Sequence, residues 1–212
     1  MNELEKNTMR RQQFILGWLC TILPFASILF GLIGIHAQVN YVDWWYSISA
    51  TFYANSNIIM IGLLFNTFIY FWAYKGYDKT DDIITKICAI AALGIIVFPT
   101  YTDYRELVGL FCLPPKLSHI IHCCCALTFY IGFLLIICRF RLSNGNPTEK
   151  KKLRNKIYFV CGFIVLINIL LIFVKSIFHW PEYTMIIFEV AMQISCGLSW
   201  LIKSEAFKFL ND

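Results

Sequence analysis

Residues 43–57 have the sequence DWWYSISATFYANSN, the longest run in the chain that is both polar and aromatic. The run contains no Lys or Arg, and it lies between two strongly apolar blocks at residues 14–35 and 58–74. Blocks of this kind are long enough to cross a hydrocarbon layer about 30 Å thick as helices. We therefore expect the run at a membrane surface, or folded into the protein between two spanning helices.

The remaining composition extends this pattern over the whole chain. Of 212 residues, 58% are hydrophobic and 15% are charged, whereas soluble domains are about half apolar and a quarter charged. We predict an all-α polytopic membrane protein, with residues 1–212 forming a single domain. A polar arm (residues 1–13) precedes a bundle of six transmembrane helices at about 14–35, 58–74, 83–100, 117–138, 157–174 and 185–202.

The distribution of basic residues predicts the orientation. Fifteen of the 18 Lys and Arg fall in the N-terminal arm, the second and fourth connections with their flanks, and the C-terminal tail. Cytoplasmic loops carry such an excess, so we expect a multi-pass protein of the cell membrane with both termini cytoplasmic. The net charge of +5 then reflects topology. We interpret the basic run at 150–156 as a topology determinant or a contact with anionic membrane lipids, and expect no nucleic-acid partner.

Several functional classes lack their motifs in this sequence. The chain has no glycine-rich phosphate loop and no G-x-S-x-G motif, which argues against the common soluble enzyme classes. Its nine cysteines include no C-x-x-C pair and mostly lie in apolar blocks. We interpret most of them as small hydrophobic core residues.

Polar residues collect at the predicted outer end of the bundle. His119, His122 and Cys123 are spaced to share one face of the fourth helix. These residue types bind zinc, so one hypothesis is a zinc site through His119 and His122. The alternative is that they are interfacial histidines packed against Trp and Tyr. The same end is expected to hold His36, His179, Asp43, Asp103, Glu106 and Glu182.

Glu189 lies within the sixth apolar block, where an ionisable group is costly and is by default a functional hypothesis. Gln193 follows one turn later, and Asn168 and Asn66 are expected to extend the same polar interior. The alternative role is interhelical hydrogen bonding, worth about 0.6–2 kcal/mol per contact. Ser49 and Tyr53 share a face with Ser56 if the second helix begins early.

A set of short motifs gives a resemblance over most of the chain. It comprises Ser47-Ile48-Ser49 with Tyr53, Tyr74 to Asp78, Phe98-Pro99-Thr100, His122 with Ala126, Arg154-Asn155 with Tyr158, and Glu189 leading to Trp200, Lys203 and Glu205. The set resembles a family of small, uncharacterised six-span bacterial membrane proteins. The resemblance implies a six-span fold and brings no activity with it.

A fainter resemblance is to the alkaline ceramidase group of membrane hydrolases. Asp43-Trp44 and Ser56-Asn57 match the early pattern of that group. However, Trp45-Tyr46 replaces its Cys-Glu pair, six spans are predicted in place of seven, and the last helix has no H-x-x-x-H pair. The zinc site that this resemblance implies is therefore incomplete as written.

Three hypotheses about function follow. The first is an outward-facing polar pocket that binds a lipid or amphiphile, with hydrolysis as the reaction if the protein is an enzyme. Glu189, His122 and Asp103 are the predicted catalytic residues, with a metal ion or Glu189 activating water. The predicted pocket also includes Ser49, Tyr53, His119, Asn168 and Gln193.

The second hypothesis is a transporter or pore whose path is lined by Glu189, Gln193 and Asn168. The sequence has no internal repeat and no paired broken helices, the usual marks of a transporter. Association of several copies into a homo-oligomer is the alternative way to form a transport pathway. The third hypothesis is a non-catalytic sensor or scaffold that binds a partner through the basic loop.

Overall fold

The computed structural model describes residues 3–37, 46–54, 56–142 and 146–211, and the side chains of residues 34–37 fall outside this description. The described chain is helical, which confirms the all-α class. Its α-helices are α1 (Glu3–Ala37), α2 (Asn57–Ala73), α3 (Lys79–Val97), α4 (Pro115–Phe140), α5 (Glu149–Phe178) and α6 (Thr184–Lys203). Short 3-10 helices occupy Ser49–Tyr53 and Lys208–Leu210.

Four of the described helices, α1, α4, α5 and α6, are long and apolar enough to cross a membrane. Helix α2 is apolar but has only 17 residues. Helix α3 has 19 residues and carries Lys79, Asp81, Asp82 and Lys86 in its first half. Length and composition therefore identify a membrane protein with four candidate spans, to which α2 and α3 add shorter or more charged helices.

Most helix boundaries differ from the sequence prediction, and α5 differs strongly because it begins at Glu149, where the prediction began at residue 157. Residues 3–13, predicted to be a polar arm, form the first turns of α1, where Gln13 is buried and donates a hydrogen bond from Nε2 to the Tyr74 hydroxyl at 3.1 Å. Helix α3 ends at Val97, three residues earlier than predicted. Phe98 precedes Pro99, and a residue before proline is disfavoured in the α conformation.

The six helices form a closed ring in which each packs against its neighbours in sequence and α1 packs extensively against α6. The α1–α6 contact depends on small residues. A Cβ atom added to Gly197 would lie 2.8 Å from the Gly17 carbonyl oxygen and 3.0 Å from the Thr21 backbone nitrogen. The two backbones approach this closely only because Gly17 and Gly197 lack side chains. This packing mode is typical of membrane helices.

Aromatic side chains fill the ring near the end of α6. Trp200 is fully buried, and its ring packs edge-on against Phe71 and Phe140, with centroid separations of 5.6 and 4.9 Å. Between residues 159 and 177, in contrast, the outward side chains of α5 are mostly large, apolar and exposed. An outward apolar face on a helical bundle is typical of contact with lipid, since it has no water-facing polar stripe. These outward residues are Phe159, Phe163, Leu166, Leu170, Phe173 and Ile177.

Long-range contacts define two ends of the bundle. At one end, Arg10 pairs with Glu205, and Arg139 pairs with Asp78 and Asp81. These pairs bring together the start of α1, the α2–α3 turn, the end of α4 and the region after α6, and we call this the basic end. The 3-10 helix 49–53, the end of α3 and the starts of α4 and α6 meet at the other end, which we call the site end.

Candidate functional site

The carboxylate of Glu189 is buried at the site end and is held by the segment that precedes the 3-10 helix. It accepts hydrogen bonds from the Ser47 hydroxyl at 2.9 and 3.0 Å and from the Ile48 backbone N–H at 2.6 Å. Among the described residues, no cationic side chain forms an ion pair with it. Neutral donors therefore hold this carboxylate, which is only 7% exposed.

Ser47 links Glu189 to Ser49. The Ser47 hydroxyl donates to the carboxylate, while its oxygen accepts the backbone N–H of Ser49 at 3.1 Å. This chain of hydrogen bonds fixes the backbone at the start of the 3-10 helix. The direction of the Ser49 side chain depends on that backbone, so Glu189 acts on Ser49 through Ser47.

The side chain of Ser49 meets His122 of α4. Ser49 Oγ lies 3.0 Å from His122 Nε2, and His122 Nδ1 lies 2.8 Å from the Phe98 carbonyl oxygen. A carbonyl oxygen only accepts hydrogen bonds, so Nδ1 carries the proton and Nε2 of the neutral ring is the acceptor. The Ser49 hydroxyl then donates to Nε2. This is the arrangement of a nucleophile and its general base, with the base oriented by a third group.

The Phe98 carbonyl is available because α3 ends just before it. The segment Phe98-Pro99-Thr100 is outside the helix, so its carbonyl groups have no helical partners. Each accepts from a side chain instead: Phe98 from His122, Pro99 from Ser118 at 2.7 Å, and Thr100 from Tyr53 at 2.5 Å. The proline-induced helix end thus positions the group that orients His122.

The α3–α4 loop folds back over this segment through Gly109. Gly109 has φ +73°, and a Cβ there would lie 2.7 Å from the Val97 carbonyl oxygen and 2.8 Å from Pro99 Cδ. The Leu110 N–H donates to the Val97 carbonyl at 3.3 Å, satisfying one of the last carbonyls of α3. Only glycine allows both the backbone conformation and the close approach.

Burial raises the pKa of the Tyr53 hydroxyl to about 12. Tyr53 therefore stays protonated at neutral pH and serves as the donor to Thr100. At the surface of the α3–α4 loop, which contains Thr100, the hydrogen bond from Tyr101 to the Asp103 carboxylate raises the pKa of Tyr101. Both tyrosines are hydrogen-bond donors that stabilise the loop.

Ser49 and Glu189 share a small cavity. Its volume is about 40 Å³, and a single water needs about 10–15 Å³ measured in this way. Gln193 also lines it, and within the described part of the chain no hydrogen-bond partner reaches the buried Gln193 Oε1. The cavity has room and an unused acceptor for water next to Ser49. Its apolar wall includes Leu23, Met60, Leu64, Ile95, Phe129 and the ring of Tyr130.

The predicted zinc site at His119 and His122 is not assembled in the described residues. His122 uses both ring nitrogens in hydrogen bonds, and His119 Nδ1 lies 3.0 Å from Thr100 Oγ1 and accepts the Tyr101 N–H at 3.3 Å. His119 Nε2 faces Cys123 Sγ at 3.5 Å. No described group of three or more His, Cys, Asp or Glu is placed to hold a metal ion.

Four other predicted residues lie apart from the cavity. Asp103 is exposed and accepts from Tyr101, and Tyr53 contacts Thr100. Asn168 is buried but donates to the Ile164 carbonyl of its own helix at 2.7 Å. Asn66 is exposed and bonds to Gly62 of its own helix, so the expectation that it extends the polar interior is wrong. Each position along a helix rotates the side chain by about 100°, so a shift of one or two positions decides whether an Asn faces inward.

Ser47 and the Phe98 carbonyl are the site groups that were not predicted as functional. Pro99 is the sequence signal for the latter, since a proline at a helix end frees carbonyl groups before it. The predictions for Asp43, Trp44, Trp45 and Asn55, and for the side chain of His36, concern positions outside the described residues.

Comparisons of the chain with family models, curated proteins and solved structures found no match. The functional assignment therefore rests on the geometry of this site.

Proposed function

We propose that this protein is a membrane-embedded hydrolase in which the Ser49–His122 pair cleaves an ester or amide of a lipid or amphiphile. The observation that carries the proposal is the hydrogen bond between Ser49 Oγ and His122 Nε2, with His122 oriented by the Phe98 carbonyl. A serine is a weak nucleophile until a neighbouring base accepts its proton. His122 is held in the tautomer that does so.

In the proposed reaction, Ser49 Oγ attacks the substrate carbonyl carbon while its proton moves to His122 Nε2. His122 then gives this proton to the leaving alcohol or amine as the bond to the acyl carbon breaks. Water, deprotonated by His122, attacks the acyl-serine ester and restores the Ser49 hydroxyl, releasing a carboxylic acid. Glu189 is a positioning residue, because it acts on Ser49 through Ser47.

The size of the cavity limits how the substrate reaches Ser49. About 40 Å³ accommodates water but no acyl chain. The surrounding wall is apolar, which suits an amphiphile. The proposal therefore requires the chain around the site end to part when substrate enters, and the cavity has room for the water that hydrolysis consumes.

All six helices cross the membrane in this proposal, with the basic end in the cytoplasm and the site end facing the outer leaflet. Closure of the ring by α1 and α6 supports six crossings, since α2 and α3 lie within the same ring as the long helices. The charged residues of α3 fall within its first eight residues, beginning at the basic end. Fifteen of the 18 Lys and Arg belong to segments at or leading to that end.

A labelling experiment tests the reaction without a known substrate. Membranes that contain the protein are treated with an alkyl fluorophosphonate, which forms a covalent bond only with an activated serine. We expect labelling of the wild type, none of Ser49→Ala, and labelling slowed by about 10²–10⁴-fold in His122→Asn, the usual contribution of a general base. Ser195→Ala is the matched control, because Ser195 bonds to the Ala191 carbonyl of its own helix at 2.8 Å.

A second candidate is proton-coupled transport through Glu189. It is favoured by a buried carboxylate that has no cationic partner among the described residues, with Gln193 next to it in the cavity. His122→Asn distinguishes the two candidates, since it removes the base of the hydrolase and leaves Glu189 in place. Unlabelled wild type together with proton flux that is lost in Glu189→Gln would favour the transporter.

A further inference from the structure

A second cavity lies at the basic end of the bundle. Its volume is about 450 Å³, within the range of about 300–1,000 Å³ that is usual for small-molecule sites. The α2–α3 turn, the end of α4, the start of α5 and the end of α6 form its walls. Four cationic side chains line it: Arg139, Lys151, Arg154 and Lys203.

The acidic side chains of this cavity are already paired with arginines. Asp78 and Asp81 both bind Arg139, and Glu205 binds Arg10. Asp81 also accepts the Tyr77 backbone N–H at 3.1 Å. The carboxylates are therefore engaged, and each fixes a wall of the cavity.

Lys203 lies against two aromatic rings. Its Nζ lies 4.6 Å from the centroid of the Tyr77 ring and 5.2 Å from that of Phe140. Among the described residues, no carboxylate forms an ion pair with it. Aromatic faces attract a cation but do not neutralise it. A partly buried ammonium group in a cavity of this size is a place for an anion.

Two more cationic groups are fixed at the wall that the start of α5 forms. Lys151 Nζ donates to the Phe140 carbonyl at 2.8 Å, and Arg154 donates to the Leu210 carbonyl at 2.6 Å. Hydrogen bonds to the backbone hold both heads in place, so little side-chain entropy is lost when a ligand binds. A guanidinium group and two ammonium groups together match the several acceptor oxygens of a phosphate.

We propose that the basic-end cavity binds a phosphate group, with Lys203, Lys151 and Arg154 as its donors. The phosphate belongs either to a soluble phosphorylated molecule or to the headgroup of a phospholipid, and both present the same chemistry. The inference does not depend on the hydrolase proposal, because it uses none of the residues at the site end.

The test measures thermal unfolding of the full chain in detergent, with inorganic phosphate or with chloride at the same ionic strength. Phosphate should raise the unfolding temperature of the wild type and of Lys203→Arg. In Lys203→Gln its affinity should fall about tenfold or more, because a charged donor is lost. Lys152→Gln is the matched control, since Lys152 pairs with Glu149 on the exposed face of α5 and does not line the cavity.

A parallel arm compares nanodiscs of phosphatidylcholine with nanodiscs that also contain phosphatidic acid. Stabilisation by phosphate in detergent without stabilisation by phosphatidic acid identifies a soluble ligand, and stabilisation by phosphatidic acid, with or without phosphate, identifies a headgroup. Equal stabilisation of Lys203→Gln and wild type overturns the proposal, as does the absence of an effect in both arms. Arg154→Gln replaces Lys203→Gln in both arms if the latter does not fold.

Discussion

The close contact between α1 and α6 predicts the effect of adding one methyl group. A Cβ at position 197 would lie 2.8 Å from the Gly17 carbonyl oxygen, whereas ordinary contacts begin at 3.4 Å. The Cβ is fixed to the α6 backbone and the oxygen belongs to the α1 backbone, so Gly197→Ala must move the helices apart by about half an ångström. Overpacking of this kind costs about 1–3 kcal/mol. For a chain of this length, that lowers the unfolding temperature by about 2–12 °C.

Gly62 provides the matched control. It lies within α2, and a Cβ added there would have no atom within 4 Å. Gly62→Ala should therefore stabilise the protein by about 0.5–1 kcal/mol, since alanine loses less backbone entropy than glycine in a helix. Both variants add one methyl group to a helical glycine, at a tight helix contact in Gly197→Ala and in open space in Gly62→Ala.

The four buried native cysteines report unfolding as a rise above the signal of the exposed cysteines. Cys20, Cys88, Cys161 and Cys196 are buried and become reactive only when the bundle opens. A thermal ramp of detergent-purified protein with a fluorogenic thiol dye measures the midpoint for wild type and both variants. If Gly197→Ala unfolds at the same temperature as Gly62→Ala, the close α1–α6 contact is not present and the ring is wrongly closed.

Three further predictions concern topology, pH and metal content. In a variant whose only cysteine is Cys112, which is exposed in the α3–α4 loop, an impermeant maleimide added to intact cells should label the protein. In a second variant, whose only cysteine is introduced by Asn146→Cys, labelling should require permeabilised cells. The reverse pattern would invert the proposed orientation. The Asp81 backbone N–H and the Arg139 guanidinium lower the pKa of Asp78. The ionised Asp78 carboxylate therefore contributes its full stability above its unfolded pKa of about 4, and this stability is lost as the pH falls toward the lower pKa of the folded state. Asp78→Asn keeps the helix cap and should flatten acid unfolding below about pH 4, and an unchanged profile would show that this carboxylate is not the group involved. Elemental analysis should give the same zinc content for wild type and His122→Ala, because both ring nitrogens of His122 are occupied within the protein. Loss of one zinc per chain in the variant would restore the metal hypothesis.

The candidate site could be predicted in part from the sequence. Glu189 and Gln193 are recognisable because polar side chains are costly in an apolar helix, and the structure places both at one cavity. His122 is recognisable as a polar residue near the predicted start of the fourth helix, and Ser49 as a polar residue of the run that precedes the second helix. Their pairing is not recognisable, because residues 73 positions apart meet only when α4 packs against the segment before α2.

Asn66 and Asn168 show where residue type alone fails. Both lie in apolar helices, yet one is exposed and the other is buried, and both satisfy their amide groups on their own helix. In the absence of a strong amphipathic pattern, an apolar helix does not reveal which face turns inward. The neighbouring helices decide that orientation.

The sequence by itself determined that this is a helical membrane protein, because only long apolar segments satisfy both the hydrocarbon layer and the backbone. It also determined which segments carry positive charge. Only the tertiary structure decided that α1 closes the ring against α6, that Pro99 frees a carbonyl for His122, and that Lys203 lies in a cavity at the basic end. Those features depend on which helix faces meet, and apolar packing in lipid leaves few marks of that choice in the sequence.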